Sequence, residues 1–287
     1  MMKHSIRIIE SAIKRYKPSH VIVSYSGGYD SLVLGHIVGR WYKQHAHSVT
    51  VRALSADTTI SADGWRDYVQ TSARLAGLPP LDIRQPTEHH LKLWVARILE
   101  RGLPFCRSQH HVNFYYLKQT VFRAYVQEKK KHRKDRILYL NGVRRAESVQ
   151  RSQTLEYGRQ GAYAWCNPIV HVTDAQVLEY RISHDLPINP FYDTLGNSGD
   201  CLCNWHTRFT LDQVQRHAPD AYQRIRVLDE ASRANHGYGY GEAPQAGAYD
   251  DTEADMIDGL PNLCVGCNKP KPTNEQLANR YLSSMEW

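Results

Sequence analysis

Short apolar runs alternate with longer amphipathic segments along the first 170 residues, and this alternation is what most constrains the fold. The apolar runs lie at residues 21–24, 49–54, 81–84, 137–140 and 169–170, and helical periodicity marks residues 30–43, 62–77, 87–101 and 110–131. Strands that alternate with helices predict a parallel sheet with helices on both faces. In such sheets, ligands bind beyond the carboxyl ends of the strands. We therefore expect functional residues in the loops that follow the strands.

The first of these loops has the composition of a phosphate site. Residues 24–31 read Ser-Tyr-Ser-Gly-Gly-Tyr-Asp-Ser, and a helix is predicted to start near Asp30. The two glycines allow backbone N–H groups to approach phosphate oxygens, and the helix dipole favours an anion at that end. Ser26 and Ser31 add hydroxyl donors, while Asp30 can cap the helix or hold Mg²⁺. No lysine follows the glycines, which excludes the GxxxxGK[ST] loop of the common nucleotide hydrolases.

A second loop, residues 142–151, is rich in arginine and follows the fourth predicted strand. We call it the arginine loop, and residues 26–31 the phosphate loop. Adjacent guanidinium groups at Arg144 and Arg145 suit binding of phosphate or sulfate, and Glu147 can orient one of them. The alternative is a surface loop whose arginines pair with nearby carboxylates.

Six cysteines in a chain of this composition argue against a disulfide framework. Two close pairs, Cys201-Leu-Cys203 and Cys264-Val-Gly-Cys267, follow the region of alternating strands and helices. Thiolates select zinc or iron–sulfur centres, and the spacing alone does not choose between them. Free structural thiols are the alternative for all four, and Cys166 is expected to belong to the core.

Charge and hydropathy limit the classes of partner. The 287-residue chain carries a net charge of +7, which permits an anionic partner. Residues 129–134 form a basic run that predicts either a solvated surface or contact with nucleic acid. No apolar run approaches the roughly 18 residues that a membrane helix needs, and the first residues do not read as a signal peptide. We expect a cytoplasmic protein without a membrane partner.

A change in composition near Asn197 predicts two domains, residues 1–196 and a Cys-rich subdomain over residues 197–287. Residues 236–260 lack apolar periodicity and carry several glycines and acidic residues. We expect this segment to be a mobile lid or an insertion.

Residues 26–31 match the SGGxDS signature, and on this motif the chain resembles the PP-loop ATP pyrophosphatases, which grip the pyrophosphate end of ATP. A longer series of segments resembles the phosphoadenosine phosphosulfate reductase family within that group. Besides the phosphate loop and the arginine loop, it comprises residues 57–58, 167–169, 173–184 and 186–193. The resemblance extends over about residues 20–205. It implies an α/β fold of the adenine-nucleotide-hydrolase type, a parallel sheet with helices on both faces, followed by the Cys-rich subdomain.

The resemblance also implies roles for individual residues. The nucleotide-binding set is Ser24, Ser26, Gly27, Gly28, Asp30, Ser31, Asp57, Thr58, Gly142, Arg144 and Arg151. The catalytic set is Asp30, Arg144, Arg145 and Cys106. A 4Fe-4S cluster, with zinc as the alternative, would be held by Cys201, Cys203, Cys264 and Cys267. Cys106 has three alternative roles: a replacement cluster ligand, a persulfide carrier, or a small buried hydrophobic residue.

The family's reductases use a cysteine in a C-terminal Glu-Cys-Gly-Leu-His segment, whereas residues 280–287 of this chain contain no cysteine. The resemblance therefore favours an ATP-dependent sulfurtransferase, similar to those of DNA phosphorothioation, that adenylates a nucleic acid or a small molecule. The alternatives are a sulfonucleotide reductase and a nucleic-acid-binding module with a regulatory ATP site. The implied ligands are ATP, or an adenosine phosphosulfate-type nucleotide, and Mg²⁺. Nucleic acid, a cysteine desulfurase and a thiol reductant are the candidate partners.

Overall fold

A computed structural model describes residues 1–45, 49–104, 107–132, 134–160, 163–203 and 210–242. Three of the predicted site residues, Cys106, Cys264 and Cys267, lie outside these ranges. So do residues 243–260, which form most of the segment predicted to be a mobile lid or an insertion.

A six-stranded sheet lies at the centre of the described part. Its strands are β1 (His20–Ser24), β2 (Thr50–Ala56), β3 (Leu81–Arg84), β4 (Ile137–Leu140), β5 (Tyr157–Gln160) and β6 (Tyr163–Cys166). The strand order is β3-β2-β1-β4-β6-β5. The first four neighbouring pairs are parallel, and only β5 at the edge runs antiparallel to its neighbour β6. The predicted α/β fold with a parallel sheet is confirmed.

Helices cover both faces of this sheet. They are α1 (Met2–Tyr16), α2 (Tyr29–His45), α3 (Trp65–Leu75), α4 (Glu88–Arg101), α5 (Arg107–Phe114), α6 (Thr120–Lys129), α7 (Asp174–Ser183), α8 (Phe191–Leu195), α9 (Leu211–His217) and α10 (Pro219–His236). A single π-helical turn, Tyr115–Gln119, joins α5 to α6. The helix predicted over residues 110–131 is therefore continuous but wider at its centre. Such π-turns occur often at functional sites.

The central strands are buried on both sides, as expected for parallel strands. Val21 and Val23 of β1 belong to the large apolar cluster that includes residues of α1 and α2. Ile22, between them, points to the opposite face and packs in a second cluster with Tyr125 and Val126 of α6. This alternation buries both faces of β1. Because Ser24 is the last residue of β1, the residues that follow it lie at the carboxyl edge of the sheet.

The predicted strand at residues 169–170 is wrong. Ile169 and Val170 are fully buried, but they lie in a turn between β6 and α7. Pro168 before them has no N–H to donate to a sheet ladder. The strand that pairs with β4 on the side away from β1 is β6, whose sequence Tyr-Ala-Trp-Cys contains none of the β-branched residues that favour a strand.

The described residues after α10 are packed against the rest of the chain. The hydroxyl of Tyr238 donates to the carbonyl of Arg101 at 2.9 Å, and that of Tyr240 to the carbonyl of Leu202 at 2.7 Å. Both tyrosines are buried. The expectation of a mobile segment over residues 236–260 stays a prediction. The division of the chain at residues 196/197 stays a prediction.

None of the helices in the described ranges has both the length and the apolar composition that crossing a membrane would require.

Candidate nucleotide site

A cavity of about 560 Å³ opens at the carboxyl ends of β1 and β4. We call it the main cavity. Five of the six phosphate-loop residues line it, together with Ser24 and Ala56 at the ends of β1 and β2, and Asn141 directly after β4. Further walls come from the α5–α6 region, from the arginine loop and from residues 192–201. The position agrees with the rule that ligands of parallel sheets bind beyond the carboxyl ends of the strands.

The phosphate loop is closed by its own hydroxyl groups. Ser31 Oγ donates to the carbonyl of Gly28 at 2.8 Å and accepts from the backbone N–H of Ser26 at 3.3 Å. The backbone N–H of Gly28 donates to Ser26 Oγ at 3.3 Å. Gly27 adopts a φ of +80°, which favours glycine, and a side chain there would meet Val69 at 2.9 Å. The loop is therefore tightly wound at the start of α2.

Three residues from other elements hold the outer side of this loop. Trp65 Nε1 donates to the carbonyl of Ser26 at 3.1 Å, and Asn189 Nδ2 donates to the carbonyl of Gly27 at 3.1 Å. The hydroxyl of Tyr68 also donates to the carbonyl of Gly27, at 3.3 Å. The carbonyl oxygens of Ser26 and Gly27 thus accept hydrogen bonds on the outer side of the loop. Because of these bonds, the loop can keep its shape when an anion binds its N–H groups.

Asp30 lies at the start of α2 and lines the main cavity. Its carboxylate forms an ion pair with Arg144, in which Oδ1 lies 2.9 Å from Nε. Burial raises the pKa of Asp30 to about 6, although the charge of Arg144 acts in the opposite direction. Near neutral pH the carboxylate is ionised, which is the state required for holding Mg²⁺.

Arg144 does not line the main cavity, contrary to the expectation that it faces the phosphates. Its side chain is only 6% exposed and pairs with Asp174 Oδ1 at 2.8 Å as well as with Asp30. Arg145 does not line the cavity either, since its Nε donates to the carbonyl of Thr154 at 2.8 Å. Both side chains are thus held by other groups of the protein, and Arg144 lines a smaller neighbouring cavity together with Tyr29 and Asp30. Their roles in nucleotide binding and catalysis stay predictions.

Arg151 is the member of the predicted arginine set that does line the main cavity. It pairs with Glu147, whose carboxylate also accepts from the backbone N–H of Arg144 at 2.7 Å. Glu147 thus orients Arg151, as expected for a carboxylate beside a forked donor. Gly142 lines the cavity too, and a Cβ there would lie 3.2 Å from the backbone N of Ser31. The close approach of the two loops therefore depends on this glycine.

Asp57 and Thr58 are buried and lie outside the wall of the main cavity, where Ala56 takes the place predicted for them. The carboxylate of Asp57 accepts from Arg66 NH2 at 2.9 Å and from Gln85 Nε2 at 3.0 Å. Thr58 Oγ1 donates to the carbonyl of Asp200 at 2.9 Å. These residues organise the loop after β2 and do not contact the cavity directly.

At the wall formed by residues 192–201, Cys201 lines the cavity, and Cys203 is buried beside it. A hydrogen bond with Cys203 is the main influence that lowers the pKa of the Cys201 thiol, and the charge of Lys118 adds to it against the effect of burial. Burial alone would lower the pKa of Lys118, but pairing with Asp200 at 2.5 Å keeps it above its usual range. The Sγ of Cys203 lies 3.6 Å from Nδ1 of His110. This wall therefore favours a thiolate.

The sequence analysis missed the residues that support the phosphate loop, as well as Lys118, Asp200 and His110. Asn189 lies within residues 186–193, which contributed to the family resemblance, and Lys118 lies in a helical segment without any local signature. No pattern in the sequence indicates that Lys118 and Asp200, 82 residues apart, form an ion pair.

Comparison with known families places this geometry in context. The family model of the phosphoadenosine phosphosulfate reductase domain matches residues 20–225, well over half of the chain. The chain belongs to the phosphoadenosine phosphosulfate reductase family. The matched region of this family member contains the phosphate loop, the arginine loop and Cys201, and continues into α10. Membership indicates a nucleotide-binding enzyme.

A search of curated protein sequences found no match. Among solved structures, the chain is similar to the FMN adenylyltransferase of Candida glabrata, determined in complex with FMN and the ATP analogue AMPCPP. The two are 14% identical, the similarity covers 73% of this chain and 68% of that protein, and the TM-score is 0.43.

Proposed function

We propose that this member of the phosphoadenosine phosphosulfate reductase family is an ATP-dependent sulfurtransferase that adenylates an acceptor and replaces the adenylated oxygen by sulfur. One observation carries the proposal: a cysteine with a lowered pKa, Cys201, lines the same cavity as the phosphate loop. Thiolates are the reactive and metal-binding form of cysteine. Nucleotide chemistry and sulfur chemistry therefore share one enclosed space.

The reaction proceeds in two balanced steps. An acceptor oxygen attacks the α-phosphorus of ATP, the bond to the β-phosphate oxygen breaks, and pyrophosphate leaves. Sulfide then attacks the acceptor atom that carries the adenylate, that atom's bond to oxygen breaks, and AMP leaves with both bonding electrons. The oxidation state of sulfur does not change in this step. A persulfide donor would require two further electrons from a thiol reductant.

Residues of the main cavity supply binding and charge for these steps. The N–H groups of the phosphate loop bind the leaving pyrophosphate, and Arg151 neutralises developing negative charge. Asp30 would hold Mg²⁺, which lowers the charge repulsion at the phosphates. Correct placement of the two reactants in one cavity accounts for much of the expected acceleration.

A 4Fe-4S cluster, or zinc as the alternative, stays part of the proposal. Cys201 and Cys203 are adjacent, and their soft thiolate donors suit either centre. When bound, an iron–sulfur cluster would supply iron that can bind sulfide, and Cys201 and Cys203 would be two of its ligands. The other two predicted ligands, Cys264 and Cys267, lie outside the described residues.

The test separates the two steps. Anaerobically purified full-length protein is incubated with α-labelled ATP, sulfide and candidate acceptors, and both AMP plus pyrophosphate release and sulfur incorporation are measured. Cys201→Ser should keep adenylation, seen as pyrophosphate release, and lose sulfur transfer. Cys166→Ser is the matched control, because this thiol is buried in the core and burial raises its pKa. It should retain both steps.

A second variant tests the nucleotide end of the cavity. A Cβ at Gly28 would lie 3.3 Å from Cβ of Ser198 and 3.4 Å from the hydroxyl of Tyr192. Gly28→Val places two more carbon atoms in that space, so ATP binding should be lost by calorimetry. Unchanged ATP binding would remove the phosphate loop from the mechanism. Sulfite release from adenylyl sulfate, without ATP consumption, would establish the reductase in place of the sulfurtransferase.

A further inference from the structure

We propose that His4, Glu156 and His171 form a surface binding site for one zinc-class divalent cation. None of the three lines the main cavity, so the site is separate from the proposed reaction. Each residue offers one ligand atom, and these atoms all lie within 4.8 Å of one another. They are the only group of three or more such ligands found in the described ranges.

The donor set is suited to zinc. Two imidazole nitrogens and one carboxylate oxygen are the ligands found in zinc sites that retain a fourth position for water. In a tetrahedral site with bonds of about 2.0–2.2 Å, the ligand atoms are roughly 3.4 Å apart. The pair His171 Nε2 and Glu156 Oε1 is already 2.8 Å apart. His4 and His171 are exposed, so small side-chain rotations are enough to complete the set.

The backbone brings the three ligands together from different parts of the chain. His4 lies in α1, Glu156 directly precedes β5, and His171 lies in the turn before α7. The carbonyl of Glu156 accepts from the N–H of Asn167 at 2.6 Å, and the carbonyl of Asn167 accepts from the N–H of Val170 at 3.1 Å. These bonds hold Glu156 and His171 in a fixed relation before any cation binds.

His4 is the decisive member, because an ion pair between His171 and Glu156 does not require it. The centres of the two imidazole rings lie 5.6 Å apart. Helix α1 packs on the sheet, where the carbonyl of Ile8 lies 3.9 Å from the Sγ of Cys166 in β6. A bound cation would therefore tie the first turn of α1 to the β5–β6 edge.

The experiment titrates ZnCl₂ into anaerobically purified full-length protein by calorimetry and records thermal melts with and without zinc. Zinc that binds the cysteines adds the same number of equivalents in the parent and in every variant. The comparison therefore uses the difference in bound equivalents between the parent and each variant. In the parent, one of the bound zinc equivalents should belong to this site. In each of the variants His4→Ala, Glu156→Gln and His171→Ala, the affinity for that equivalent should fall at least about tenfold. The zinc-dependent rise in melting temperature should shrink in all three variants.

His217→Ala, an exposed histidine in the last turn of α9, is the control and should match the parent. Equal stoichiometry and affinity in the parent and all three ligand variants would overturn the site. His4→Gln provides a second variant if His4→Ala lowers the folded fraction. ATP-dependent activity of His4→Ala should equal that of the parent, so the outcome is independent of the proposed sulfurtransferase function.

Discussion

At the scale of single residues, the phosphate loop combines a conformational requirement with a buried charge. Gly27 supplies the positive φ that the turn needs, and Asp30 places a carboxylate at the helix N-terminus, 22% exposed and paired with Arg144. Burial costs the ionised form of Asp30 more than Arg144 restores, so its pKa is raised to about 6. Keeping this buried carboxylate ionised lowers the stability of the folded state, and it supplies a negative charge at the site.

The pH dependence of stability tests this balance. Because the folded chain keeps the proton on Asp30 up to about pH 6 while the unfolded chain loses it near pH 3.8, the folded state binds more protons in this interval. The contribution of Asp30 to stability therefore falls as pH rises from 3.8 through about 6, by about 3 kcal/mol in total.

We expect Asp30→Asn to remove this decline from the free energy of unfolding measured with urea across that interval. Asp212→Asn, an exposed carboxylate in the first turn of α9, should leave the parent's profile intact. If Asp30→Asn and the parent show parallel profiles, the carboxylate is not buried as described.

At the scale of secondary-structure elements, Arg144 links segments that are distant in the sequence through ion pairs and a hydrogen bond. Its guanidinium contacts Asp30 in α2 and Asp174 in the first turn of α7, and donates to the carbonyl of Val172 at 3.2 Å. The arginine loop, the phosphate loop and α7 are thereby held in one arrangement. These contacts place Arg144 between the three segments, whereas Arg151 lines the main cavity.

Removing this guanidinium should destabilise the protein strongly. Arg144→Gln leaves the buried carboxylate of Asp30 without its cation, and loss of one partner of a buried ion pair costs about 3–5 kcal/mol. The matched control is Arg226→Gln, which breaks an exposed i,i+4 pair with Glu230 in α10 and should cost less than about 0.5 kcal/mol. Chemical unfolding of both variants measures the difference. Similar losses in the two variants would show that Arg144 is not a buried link.

At the scale of the whole molecule, the sheet separates the main cavity from the basic run. Lys129 ends α6, and residues 130–132 and 134 lie in the connection to the amino end of β4, whereas the cavity opens at the carboxyl end of that strand. Lys129 pairs with Glu128, and the carboxylate of Asp135 accepts from the backbone N–H of Lys131 at 2.9 Å. This placement favours the solvated-surface interpretation of the run over a role in binding the substrate.

Charge removal tests that placement. The double variant Lys131→Gln and Lys134→Gln changes two exposed cations at the amino edge of the sheet. ATP-dependent activity should stay within roughly twofold of the parent at physiological ionic strength, because exposed charges farther away than about 8 Å are largely screened. Measurement with both a nucleic acid and a small-molecule acceptor is informative. A large loss with the nucleic acid alone would place the run in the path of that acceptor.

The sequence by itself determined the features that depend on local chemistry. The alternation of apolar runs and helical periodicities predicted four of the five parallel strands and the helices between them, because burial on a strand or a helix imposes a period on the chain. The glycines and hydroxyls at residues 26–31 predicted a turn suited to an anion at the start of a helix, because backbone approach to an anion requires those residue types. The turn is found there and lines the main cavity.

Only the tertiary structure decided which side chains face the cavity. Arg144 and Arg151 are identical in chemistry and lie in the same loop, yet the first turns toward Asp30 and Asp174 and the second toward the cavity. The ion pair of Lys118 with Asp200, and the turn adopted by residues 169–170, likewise follow from packing between distant segments. Such contacts cannot be predicted from the local sequence, because the direction of a side chain depends on the neighbours that the fold brings together.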